Sequence, residues 1–122
     1  MQLVAFYLLL IAAALGSVLA ALGLRSEAPP ISVSYGLLHG SLGAAGFAAL
    51  LCAVRGPPHG VAMGVGSFGV IAAVLLAVTL LLGLIMLVMR SCSRRVPGPV
   101  IGMHATIAIS GIVILAAYVL IG

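Results

Sequence analysis

A chain of 122 residues with 65% hydrophobic and only 5% charged side chains has too little polar surface to cover a water-soluble globule. Composition therefore excludes a soluble enzyme and a disordered segment, and it places the chain in a bilayer, as the mean hydropathy of +1.46 also requires. The net charge of +4 comes from five arginines set against one glutamate, and because they flank apolar spans they act as topology signals, with no nucleic-acid partner implied.

In chain order, the first apolar span covers about residues 3–24. It has no basic leader, its apolar run exceeds that of a typical signal peptide, and no small-x-small site closes it before Arg25, so it is expected to be retained as helix 1. The segment RSEAPP at 25–30 separates it from a second span at 32–54, and RGPPHG at 55–60 precedes a third at 61–89. RSCSRRVPGP at 90–99 then leads to a fourth at 99–121. Each span, at about 1.5 Å per residue, can cross a hydrocarbon core of about 30 Å. Short connections make consecutive helices antiparallel neighbours. The expected fold is all-α: one transmembrane domain over residues 1–122, an up-down-up-down four-helix bundle.

Arg25, Arg90, Arg94 and Arg95 fall on the side of the 1–2 and 3–4 connections, whereas the opposite side carries only Arg55. The positive-inside rule puts both termini outside, the periplasmic side of a bacterial inner membrane. Cys52 and Cys92 fall at opposite ends and cannot pair within one chain. There is no Cys-x-x-Cys-His for covalent haem attachment and no zinc-like spacing.

Sliding the chain on itself by 65 residues superposes Arg25-Ser26 on Arg90-Ser91, His39 on His104, Ser41 on Thr106, Leu42 on Ile107, Gly46 on Gly111 and Leu50 on Leu115. Two tandem helix hairpins are the expected result. Helices 2 and 4 then run parallel and diagonal, and the two histidines sit within about 3 Å of one depth. An ionisable side chain at that depth is a functional candidate by default, and two inward imidazoles facing across a bundle core indicate a shared ligand.

Zinc or copper would require a third or fourth donor, which this core lacks, whereas a haem brings four nitrogens and needs only axial ligands. Gly36, Gly40, Gly43 and Gly46 around His39, and Gly102, Ala105, Ala108 and Gly111 around His104, could leave room for a flat macrocycle. The same residues could equally serve close helix packing, as Gly60 and Gly64 in helix 3 would do. Tyr35, one turn before His39, could donate a hydrogen bond, and Arg25, Arg90, Arg94 or Arg95 could meet propionates at the inner surface. The second ring nitrogen of each histidine is expected to bond the carbonyl of the preceding turn. His59 is expected to be a solvated loop residue.

The helices carrying LLHGSLGAAGF at 37–47 and GMHATIAISGI at 102–112 resemble the small four-helix, bis-histidine membrane cytochromes of b type. The resemblance implies one noncovalent haem b, ligated by His39 and His104, that exchanges single electrons with a quinol or a partner redox protein. Better-known members hold two haems on four histidines; here one pair is available, so a complete transmembrane electron path requires another chain. Readings of the pair as polar packing, a chlorophyll-type magnesium site, a metal-ion site or a proton relay remain open at this point.

A small transporter would need a membrane carboxylate, yet the one acidic residue, Glu27, falls in a connection. Side-chain catalysis has no Ser-His-acid set, phosphate loop or carboxylate pair to rest on. The strongest alternative is an accessory subunit without cofactor, packed against a larger respiratory or photosynthetic assembly.

Overall fold

A computed structural model describes residues 1–25 and 32–122. Among them, four helices follow in order: α1 Gln2–Leu24, α2 Val33–Val54, α3 Phe68–Ser91 and α4 Gly98–Ile121. All four are long and apolar enough to cross a membrane. In hydrocarbon each backbone N–H and C=O must be satisfied within its own segment, and these Leu-, Ala- and Ile-rich runs do so as helices. The chain is an integral membrane protein whose outward residues, among them Leu3, Tyr7, Ile11, Leu81 and Val113, are exposed to lipid.

Each helix packs on its two neighbours in a ring, α1 on α2, α2 on α3, α3 on α4 and α4 on α1, while the diagonal pairs make no close backbone approach. The closest pairings are within the hairpins α1–α2 and α3–α4. Lipid tails are as apolar as leucine, so burying apolar surface contributes little between helices here, and close packing against small residues takes over. Leu9 of α1 sits over Gly46 of α2, where an added Cβ would lie 2.7 Å from its Cγ; Leu76 of α3 sits over Gly111 of α4, at 3.0 Å. Beside them, Ala5, Leu50, Ala72 and Leu115 are fully buried and form the tightly packed part of the core. Substituting Gly46 with alanine forces the α1–α2 pair apart. The expected loss is about 1–3 kcal/mol, read as a lowered thermal midpoint in detergent, and an unchanged midpoint would contradict this packing.

These pairs show the repeat in more detail than the sequence does. Helices 2 and 4 correspond at the expected offset of 65, but α1 and α3 correspond at 67, with Ala5 on Ala72, Leu9 on Leu76 and Gly16 on Gly83. The two-residue difference falls in the connections, since Leu24 to Val33 is two residues longer than Ser91 to Gly98. The match of Arg25 to Arg90 is therefore not structural: Arg25 caps the end of α1, whereas Arg90 lies inside the last turn of α3. Ser26, Glu27 and the two prolines of RSEAPP lie outside the described residues.

The third helix begins at Phe68 rather than near 61. Gly60 has φ +70° and Gly64 φ +74°, conformations that glycine adopts without strain, and Val65 N–H donates to the Gly60 carbonyl. Gly60 and Gly64 thus form turns that tuck the buried Val65 under the bundle, and they are not a helix-packing pair. His59, expected in solvent, is half-buried edge-on against Tyr118, with ring centres 5.0 Å apart.

Candidate functional site

His39 is the seventh residue of α2 and His104 the seventh of α4, so both imidazoles stand about 9 Å along the helix axis from the N-terminal ends of their helices. Because α2 and α4 are diagonal, the two rings meet across the core: their centres are 6.1 Å apart and their planes inclined at 70°. The hairpin repeat is the cause, since equal depth on parallel helices follows from equal position in each copy.

The rings are held by the other two helices. His39 Nδ1 lies 2.9 Å from the Ala12 carbonyl of α1. A carbonyl can only accept, so Nδ1 carries the proton and Nε2 keeps its lone pair. The acceptor is thus on the neighbouring helix and not in the preceding turn of α2, because the carbonyls of that turn are engaged in the helix ladder. By the 67-residue correspondence, the equivalent group for His104 is the backbone of Thr79, with which it interacts. Its Nδ1 is buried and falls short of full hydrogen-bond geometry. The hydroxyls of Ser41 and Thr106, matched across the repeat, bond the Leu38 and Gly102 carbonyls of their own helices.

Two glycines make room for the rings, Gly16 on α1 and Gly83 on α3. An added Cβ would lie 2.7 Å from His39 Cε1 at Gly16 and 3.2 Å from His104 Cε1 at Gly83. Sequence reasoning missed both residues because it used one offset for the whole chain. Sliding helices 1 and 3 alone by 67 residues aligns Leu8-Leu9 with Leu75-Leu76 and Leu15-Gly16 with Leu82-Gly83, a signal present but unread.

Both histidines border two cavities, one of about 120 Å³ lined mainly by α1, α3 and α4 and one of about 440 Å³ lined mainly by α2 and α3. The walls are complementary across the pseudo-twofold. Where α1 offers Ala13, Ser17 and Ala20 to the first cavity, α3 offers Leu80, Leu84 and Leu87 to the second; α2 answers those leucines with Gly36, Gly40 and Gly43. Packing is therefore dense at the Leu50–Leu115 end and open at the histidine end.

The glycines near His39 now divide between the two uses weighed for them. Gly43, with Gly36 and Gly40, borders the larger cavity, whereas Gly46 and Gly111 lie beneath Leu9 and Leu76 and serve helix packing. Tyr35 is 56% exposed and borders neither cavity, so the expected hydrogen bond into the site is not made. It stands four residues, about one turn, nearer the start of α2 than His39, where its side chain is exposed. Arg25 and Arg94 are also exposed and border neither cavity, since both lie beyond the last turn of their helices. Arg90, half-buried inside α3, is the arginine that borders the site.

The donor set fits a macrocycle better than a bare ion. No group of three or more His, Cys, Asp or Glu side chains occurs among the described residues, whereas structural zinc takes four donors. His39 and His104, with ring centres 6.1 Å apart across the core, are the two side chains that would hold such a macrocycle. Cys52 and Cys92 are exposed free thiols, both outside the cavity walls.

No protein-family model, curated protein or solved structure matches this chain.

Proposed function

We propose that this chain is a membrane haem protein that binds one noncovalent haem b between His39 and His104 and carries single electrons as a subunit of, or partner to, a larger redox complex. The observation that carries the reading is the pair of imidazoles opposed across the bundle at 6.1 Å, both of which border two largely apolar cavities. A haem supplies a one-electron couple between ferric and ferrous iron. The chain's own residues hold the ligands: the Ala12 carbonyl fixes the His39 tautomer so that Nε2 is the free donor, and Gly16 and Gly83 let both rings approach the core. Leu, Ile and Ala walls exclude water, which lowers the dielectric around the iron.

With one ligand pair near the inner end, electrons are exchanged on that side, with quinol or another membrane redox subunit as the partner. This is electron transfer by a subunit rather than catalysis by a self-sufficient enzyme. The deciding measurement is the absorption spectrum of protein purified in detergent from haem-sufficient cells, oxidised and then reduced with dithionite. A sharp reduced α band is expected; a colourless preparation that also takes up no added haemin would overturn the reading.

The orientation proposed with it has both termini on the periplasmic side of a bacterial inner membrane, because Arg90, Arg94 and Arg95 cluster at the α3–α4 connection. Cys92 lies in that connection and is exposed. In a Cys52→Ser background, a membrane-impermeant thiol reagent should label Cys92 only after spheroplasts are lysed. Labelling of intact spheroplasts would reverse the topology.

A further inference from the structure

The two cavities beside the histidines differ in one chemical respect. Among the described residues, Arg90 is the only side chain of fixed charge that borders either of them, and it borders the smaller one. Its position follows from the helix. Gly83, which touches His104, is seven residues before Arg90, so the two share a face of α3 about 10 Å apart along the axis, with Leu87 between them. The equivalent position in α1, at the 67-residue offset, is Gly23. The pseudo-twofold is therefore broken electrostatically: one hairpin brings a guanidinium to the site and the other brings none.

Arg90 is half-buried and borders an apolar cavity, and a guanidinium in such surroundings is stabilised by a carboxylate that it can grip with two parallel N–H donors. The one acidic residue of the chain, Glu27, lies outside the described residues. On the haem reading, the matching groups are the two acid side chains on one edge of the macrocycle. The α2–α3 cavity, lined by leucines and glycines without charge, suits the opposite, apolar edge.

We propose that Arg90 is the anchor for the carboxylates of the bound macrocycle and sets its orientation, acid edge toward the smaller cavity and inner surface, apolar edge toward α2–α3. This rests on the haem reading above. Arg25 and Arg94, named from sequence for the same task, lie outside the cavity walls and do not perform it.

The test compares haemin with haemin dimethyl ester, which has the same iron and ring but no acid charge, by titration into haem-free full-length protein in detergent. Wild type should bind haemin roughly ten- to a hundredfold tighter than the ester. Arg90→Gln should abolish that preference while its affinity for the ester and its bis-imidazole spectrum stay at the wild-type level; Arg94→Gln should keep the preference. Arg90→Lys retains the charge without the planar fork, so it should keep part of the preference, and it provides the readout where the glutamine variant fails to fold. A preference that survives in Arg90→Gln, or that is lost in Arg94→Gln, overturns the proposal. Equal binding of both pigments by wild type overturns it while leaving the haem reading intact, whereas wild type that binds neither overturns both.

Discussion

Replacing either His39 or His104 with alanine should abolish the reduced α band, with haem content falling at least tenfold in each single variant. On the haem reading each ring is one of only two axial donors, and no group of three or more His, Cys, Asp or Glu side chains occurs among the described residues to offer a substitute. The double variant should be no worse than either single one, because the two ligands act as a unit. Exogenous imidazole distinguishes ligation from packing. It can occupy the space left by the deleted ring and should restore the band in part, whereas a ring whose role is to pack between helices would give no spectral recovery. Retention of the wild-type spectrum in either alanine variant would remove the basis for the haem assignment.

A second large effect is expected at a residue that makes no bond to any ligand. Gly16→Ala places a methyl group 2.7 Å from Cε1 of His39, and the ring cannot simply swing aside because its Nδ1–H is held by the Ala12 carbonyl. Either that hydrogen bond breaks or α1 moves outward. At about 1–3 kcal/mol for such overpacking, haem affinity should fall about 5- to 150-fold. Gly83→Ala has a milder contact, 3.2 Å from Cε1 of His104, whose Nδ1 is not held by a full hydrogen bond. Its effect should stay within a few-fold. Haemin titration of the two variants, with circular dichroism to verify helix content, checks both the size and the order of the effects. Equal affinities would show that the glycines do not shape the site.

The asymmetry between Gly16 and Gly83 illustrates what the sequence conveys and what it does not. The four spans, their antiparallel order and the matched depth of His39 and His104 follow from apolar run length, Gly/Pro punctuation and one internal offset. These are properties of single helices and of their lengths, and the bilayer fixes both. The histidines were legible because an imidazole is conspicuous in an apolar run.

The tertiary structure decided what depends on how one helix rotates against another. The similar composition of Gly43 and Gly46 gave no means of telling which borders a cavity and which lies under Leu9; their rotation about α2 settles it. The start of α3 at Phe68 was hidden because a tight turn with two positive-φ glycines reads as apolar sequence just as a helix does. Among the arginines, topology weighed Arg25, Arg90, Arg94 and Arg95 alike, and only the position of Arg90 on the face of α3 shared with Gly83 puts an arginine on a cavity wall. Span length and the internal repeat set depth, and they make the membrane bundle and its paired imidazoles readable from the residues alone. The structure alone decided which small residues make space and which charge reaches it, because those depend on helix rotation, which a run of nearly uniform apolar residues leaves unencoded.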